Sequence, residues 1–327
     1  MTALRGAHVA VLVDRDAVLP GTNVLTPGHS EHHLVGALRR LAVGVTVMPF
    51  LGAARLTSWL HATQPDLVFN MTEHVGGDRN KDAHICAILD LHGIAYTGPG
   101  PKGLMLCRDK AVSKLIAERH GFVVPRFVEV DVRAPRWPRE LPLPAVVKPR
   151  YGDSSDGISQ SSLVRSRSAL LRRVRMLGHA GSPDVICEAF VEGREMVVGV
   201  VGRHLMPPRE LLVGGHGHGT PPAIFSARMK HDAGYRRRWG VRIEFARLTG
   251  PELRALRDAA LGTFQALEMR DFGRFDVKLT PEGRWAFLEA NPNPALVPHR
   301  GSFSGTWAGM AYDAMIATIA GSALRRG

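Results

Sequence analysis

The sequence predicts an α/β protein that opens on a parallel sheet and continues through two further units. Three observations carry this. Strand-length apolar runs alternate with helix-length stretches as far as Tyr96. Gly98-Pro99-Gly100-Pro101 then breaks the pattern, as paired glycines and prolines do between folded units. A Pro-rich stretch and a change of pattern near Glu188 divide the remainder, giving units 1–103, 104–187 and 188–327.

In the first unit, strands are expected at His8–Val13, Val43–Met48 and Asp66–Asn70, with a short piece at Ile94–Tyr96. Helices are expected at Glu31–Ala42, Leu56–Ala62 and Asp82–His92. The second unit starts with a helix over Asp109–His120. Strands follow at Val123–Val130 and Ala145–Lys148, the latter running into a Gly/Ser loop. In the third, strands are read at Met196–Val201, Val241–Phe245, Phe272–Leu279 and Arg284–Ala290. A helix over Pro251–Glu268 sets Leu253, Leu256, Leu261, Phe264 and Leu267 at near-helical spacing, and a last helix covers Thr306–Ala320.

Composition narrows the class. The 327 residues are 45% hydrophobic and 22% charged, which excludes wholesale disorder. No apolar stretch approaches the roughly 20 residues that span a bilayer. His8–Val13 is too short and early for a signal peptide. Cys86, Cys107 and Cys187 are scattered, with no CxxC, which suggests a reducing compartment and a cytoplasmic protein. The net charge of +12 favours anionic partners. Only seven of the 42 basic residues are Lys, so each Lys stands out as a compact charge suited to phosphate oxygens. A nucleic-acid-binding protein without catalysis is the rival class. Dispersed basic residues, 6% aromatics and the lack of a nucleic-acid motif count against it.

The sharpest signal is Arg274-Phe-Asp276-Val-Lys278-Leu, a turn at Pro281-Glu-Gly-Arg284, then Trp285-Ala-Phe-Leu-Glu289-Ala-Asn291. Alternation puts Arg274, Asp276 and Lys278 on one face. A symmetric hairpin centred on Glu282-Gly283 sets Asp276 opposite Glu289 and Arg274 opposite Asn291. Two facing carboxylates need a cation or a proton between them. Asp, Glu and Asn oxygens suit Mg²⁺; on the other reading, Arg274 or Lys278 neutralises the pair as a surface ladder. A second signal is Lys148-Pro-Arg-Tyr-Gly152-Asp-Ser154-Ser155-Asp-Gly157, a strand ending in Lys before a flexible loop whose N–H and hydroxyl groups can wrap phosphate. It reads otherwise as a plain surface loop. Gly98–Gly103 matches GxGxxG, but Pro99 and Pro101 remove the donors a dinucleotide needs. His216 and His218, with His231 downstream, read as a mobile Gly-rich loop rather than a zinc site.

In their order and spacing these elements resemble the ATP-grasp superfamily, in its D-alanine–D-alanine ligase-like branch. The resemblance is strongest at Arg108-Asp109-Lys110, 145–157, 188–195 and 273–294. It implies a three-domain ATP-grasp fold, with an N-terminal parallel-sheet domain and two α+β domains enclosing the nucleotide. It implies ATP and Mg²⁺ (or Mn²⁺) as cofactors. Lys110 and Lys148 are then the phosphate lysines, and residues 152–157, with Ser154 and Ser155, the loop over the phosphates. Glu188, Ala189, Phe190 and Val191 are similar to the adenine hinge, Glu195 to the ribose ligand and Lys230 to the γ-phosphate lysine. Asp276, Glu289 and Asn291 match the metal ligands, and Arg274 the arginine that stabilises the tetrahedral intermediate. Catalysis would rest on Arg274, Lys230 and Ser154.

The implied reaction is ADP-forming. A carboxylate is activated as an acyl phosphate and attacked by an amine. Glu31, Glu73, His231, Ala295 and Arg300 are the candidate substrate contacts. The sequence departs from the family at this end: Asp14–Ser30 is longer and different, His231 replaces a Tyr, and the segment after Asn291 carries Ala295 and Arg300 where Gly and Ser are usual. The expectation is an amino-acid or dipeptide ligase whose substrates need not be two D-alanines, or one extending a peptide or protein tail. Its partners are small amino-acid or peptide substrates and a possible second copy as homodimer, with no nucleic acid and no membrane.

Overall fold

The computed structural model describes residues 4–41, 44–136, 138, 140–152, 157–182, 184–214, 224–226, 228–229, 232–298 and 309–327. The chain runs β1 (His8–Val13), α1 (Ser30–Arg40), β2 (Gly44–Pro49), α2 (Ala53–Thr63), β3 (Leu67–Asn70), α3 (Asp82–Leu91), α4 (Pro101–Arg108), α5 (Lys110–Arg119), β4 (Phe127–Asp131) and β5 (Ala145–Pro149). It continues β6 (Leu163–Val164), α6 (Arg167–His179), β7 (Asp184–Ala189), β8 (Arg194–Val201), β9 (His204–Leu205), β10 (Arg209–Val213), α7 (Ala233–Arg238) and β11 (Val241–Phe245). It ends with α8 (Gly250–Ala266), β12 (Phe272–Leu279), β13 (Trp285–Asn291) and α9 (Tyr312–Leu324).

The first sheet is parallel, in the order β2-β1-β3. β1 is buried on both faces, as its unbroken apolar sequence requires. Ala10 and Leu12 face Leu56, Leu60, Ile85 and Leu89 of α2 and α3. Val9, Val11 and Val13 face the other way, where Leu34 and Leu38 of α1 meet Met315, Ile316 and Ile319 of α9. The C-terminal helix thus completes the N-terminal core, and an Arg40–Asp313 pair at 2.7 Å ties α1 to α9 at the surface. Tyr96 adds only an isolated bridge to Val68.

A four-stranded antiparallel sheet, β4-β7-β5-β6, packs one face against Leu170, Val174 and Leu177 of α6. The largest sheet runs β11-β10-β8-β12-β13, with β9 also on β8. Met196, Val198, Val200, Phe275, Val277 and Phe287 bury one face of it under Leu256, Ala260 and Phe264 of α8 and Ala117 of α5. The other face carries Arg274, Asp276 and Lys278, so period-two alternation separates core from site.

The strand expected over Val123–Val130 divides at Pro125. Val123 lies along β13, its N–H donating to Trp285 O at 2.7 Å, whereas Phe127–Asp131 joins the four-stranded sheet. One extended segment therefore bridges the two sheets. Among the described residues no helix is long and apolar enough to cross a membrane.

Candidate active site

β12 and β13 present the opposed acids, by a route the symmetric hairpin does not describe. The turn pairs Leu279 with Trp285, Lys278 with Ala286 and Val277 with Phe287. That register alone would set Asp276 against Leu288. A β-bulge intervenes, Leu288 is left without a partner, and Asp276 faces Glu289 while Arg274 faces Asn291. All four residues are buried. Gly199 stands opposite Arg274 on β8.

Arg274 is the cation on Asp276: Nε donates to Oδ1 at 2.8 Å and Nη2 to Oδ2 at 3.3 Å. Lys278 turns to the other end of the cleft, donating to the Val191 carbonyl at 3.0 Å. The ladder of the sequence reading is thus half present, and it is interior rather than surface. Asn291 Oδ1 accepts from the Asn293 N–H at 3.1 Å, and Asn293 Nδ2 donates to Thr72 O at 3.3 Å, which joins the hairpin to the first unit. Two carboxylates and an amide on facing positions form an all-oxygen set that fits a hard divalent cation.

Behind the acids lies a buried charge network. Glu188 takes Lys148 at 2.7 Å and Lys114 at 3.2 Å. Lys114 Nζ also donates to the carbonyls of Leu288 at 2.8 Å and Phe287 at 3.3 Å. Burial pushes the Glu188 carboxyl up, but Lys114 and Lys148 together outweigh it and hold the acid below the usual carboxylate range. Burial pushes the Lys114 ammonium down to about 8, against the pull of Glu188.

Lys110, at the start of α5, donates to Gly152 O at 2.5 Å, where the Gly/Ser loop begins. Asp109 caps that helix, accepting from the N–H groups of Ala111 at 3.0 Å and Val112 at 3.2 Å. It also binds Arg150 at 2.7 Å. Burial raises the Asp109 acid, and Arg150 with the two amides brings it below its ordinary value.

A single cleft is lined by Lys148, Glu188, Ala189, Phe190, Val191, Glu195, Asp276 and Glu289, all named from sequence, with Val146, Leu211, Ile224 and Phe225 supplying an apolar wall. Lys110, Arg274 and Asn291 are not among its lining residues; Arg274 is bound to Asp276 of the wall, and Asn291 faces Arg274 across the hairpin. Glu31 sits in the first turn of α1, accepting from the Ser30 hydroxyl at 3.1 Å. Glu73 pairs with Arg79, and its N–H donates to Asp14 at 2.9 Å. Ala295 is half-buried two residues past Asn293. Neither Glu31 nor Glu73 lines the cleft. Ser154, Ser155, Lys230, His231 and Arg300 lie outside the described residues.

Sequence reasoning missed Lys114 and placed Lys278 only as a neutraliser. Lys114 stands four residues after Lys110, a spacing that puts both on one helix face. It also missed a cavity of about 840 Å³ in the first unit, lined by Asp14, Asp16 and His74. There His74 Nε2 lies 3.7 Å from Asp14 and 3.8 Å from Asp16. The Gly77 N–H donates to His74 Nδ1 at 3.3 Å, which leaves Nε2 facing the two acids at ion-pair distance.

Two antiparallel sheets meeting over a cleft, behind an N-terminal parallel sheet, define the D-alanine–D-alanine ligase-like class of ATP-grasp proteins. The family model described as "D-ala D-ala ligase C-terminus" matches residues 132–320. The D-alanine–D-alanine ligase of Halorhodospira halophila is 31% identical over 269 residues, 80% of either chain. The ATP-complexed crystal structure of the Bacillus anthracis D-alanine–D-alanine ligase superposes with a TM-score of 0.74 at 18% identity, covering 98% of both chains. VanG, a D-Ala:D-Ser ligase of Enterococcus faecalis, does so at 0.69 and 18%, over 98% of this chain and 100% of its own. The chain belongs to the D-alanine–D-alanine ligase family.

Proposed function

We propose that the protein is an ATP- and Mg²⁺-dependent, ADP-forming carboxylate–amine ligase whose substrates are amino acids or short peptides other than, or besides, a pair of D-alanines. The observation that supports it is the cleft, where hinge, lysines and opposed acids lie together. ATP would supply the phosphoryl group that converts the carboxylate to an acyl phosphate. Asp276, Glu289 and Asn291 would hold Mg²⁺, which offsets charge on phosphate oxygens.

The protein's own groups then divide the work. Glu188 holds Lys148 in place by an ion pair, and Lys110 stands where the loop begins, so both would meet phosphate with little reorganisation. By the family resemblance, Ser154, Ser155 and Lys230 are assigned to the same phosphates. The hinge from Glu188 to Val191 orients the base, and Glu195 binds the ribose. Arg274, held bidentately by Asp276, offers its guanidinium to the oxyanion that forms as the amine attacks. In this reading the unit 104–187 brings Lys110 and Lys148 to the phosphates, and the unit 188–327 brings the hinge, Glu195, the metal ligands and part of the substrate side.

Departures at the substrate end support a changed specificity. Glu31 is engaged by Ser30 and Glu73 by Arg79, while Asp14 and its cavity occupy the loop after β1. His231, Ala295 and Arg300 are assigned, with Glu31 and Glu73, to the substrates. The related D-Ala:D-Ser ligase has the same fold, so the fold accommodates more than one partner. The test is a screen of ADP release over amino-acid and peptide pairs, with products read by mass. A single dipeptide mass supports the small-molecule reading, and mass added to a peptide tail the other. No ADP release with any pair removes the proposal.

A further inference from the structure

Lys278 is a buried lysine in the wall of the cleft, on β12 directly opposite Glu195 of β8. A buried ammonium needs compensation. Here it has the Val191 carbonyl at 3.0 Å, the Phe190 ring with its centroid at 4.7 Å, and the Glu195 carboxylate at 3.7 Å. The last separation is too long for a direct hydrogen bond. An ammonium carries three donors, and among the described residues the Val191 carbonyl is its one hydrogen-bond acceptor. A donor and an acceptor therefore stand side by side, a little apart, at the hinge end of the cleft.

A hydroxyl both donates and accepts, and two neighbouring hydroxyls match such a pair. We propose that Lys278 acts with Glu195 to read the ribose diol of the bound nucleotide, Glu195 accepting from one hydroxyl and Lys278 donating to its neighbour. This rests on the nucleotide reading of the cleft. It adds a residue that selects ribonucleotides over deoxyribonucleotides. A site built to hydrogen-bond a hydroxyl penalises the analogue that lacks it, because its own buried groups are then left unpaired.

The experiment is calorimetric titration of the full chain with ATP, 2′-deoxy-ATP and 3′-deoxy-ATP, repeated on Lys278→Met and Lys278→Arg. The wild type is expected to prefer ATP over at least one deoxy analogue by about tenfold. Lys278→Met, which keeps the volume, should bring that ratio within about twofold, and Lys278→Arg should restore part of it. A wild-type ratio near one, or an unchanged ratio in Lys278→Met, overturns the role of Lys278 while leaving the nucleotide site standing. Failure of the wild type to bind any of the three nucleotides is a different result and removes the nucleotide reading itself. Should Lys278→Met not fold, Lys278→Gln keeps a donor for Val191 and is read by the same ratio.

Discussion

Lys114 donates to the carbonyl of Leu288 at 2.8 Å, and Leu288 is the residue the bulge leaves unpaired. A helix side chain thus holds the irregularity that sets Glu289 against Asp276. Lys114→Met removes two carbonyl contacts and one of the two cations on Glu188. Breaking a buried pair in this way costs about 3 kcal/mol. Urea denaturation should show that loss, and ADP release should fall because Glu289 is no longer held in register. An unchanged midpoint would mean the network is not structural.

Asp276→Asn and Glu289→Gln are expected to abolish ADP release while leaving folding intact, since each exchange keeps the shape and removes one charge from the opposed pair. The loss should be at least about a hundredfold, the scale of removing one electrostatic stabiliser. Circular dichroism and turnover measured together check it. Normal turnover in either variant ends the metal assignment.

Lys230→Ala should slow phosphoryl transfer more than it weakens nucleotide binding, because the assigned role lies at the γ-phosphate. Single-turnover rates beside equilibrium binding separate the two. A collapse of affinity with an unchanged rate per bound complex would remove that role.

Asp14 supplies a pH test. Burial pushes its carboxyl up to about 6 from an ordinary 3.8, against the Glu73 N–H and His74, which pull it down. The folded state therefore holds this proton more tightly than the unfolded chain. Stability from this group is complete below about pH 4 and is lost as pH rises through 6. Asp14→Asn should be about 2 kcal/mol more stable than wild type at pH 7, with the difference vanishing near pH 4. Equal stabilities at both pH values would show that the buried charge is compensated.

Gly193 tests the link from hinge to β8. Its φ is +140°, and a Cβ there would lie 2.3 Å from the Leu279 carbonyl oxygen. Both the backbone conformation and the space exclude a side chain. Gly193→Ala should cost about 2 kcal/mol or more in thermal or denaturant unfolding. A neutral substitution would mean that the turn can move away from β12.

Much of the fold was legible where one physical signal acted alone. β1, β11 and β12 occupy the ranges the residues indicate, because unbroken or alternating apolar runs bounded by polar residues leave no competing period. α6 was missed although Leu170, Val174 and Leu177 follow helical spacing, because its arginines hide the stripe. α4 was missed because Gly98–Pro101 reads as a break. Pro101 is instead the first helical residue, where its lack of an N–H costs nothing. The facing of Asp276 and Glu289 was read from a symmetric turn, yet it depends on a bulge that residue types do not encode. The burial of Lys114 was hidden for another reason: composition gives a lysine's charge and not its depth.

The first sheet keeps one face for α9, where Met315, Ile316 and Ile319 sit among Val9, Val11 and Leu34. A ribosome makes β1 near the beginning and α9 only after the whole intervening chain. Throughout elongation that face has α1 but not α9 to cover it, so vectorial folding cannot finish the first unit first. Those valines reach their full burial only once α9 has emerged.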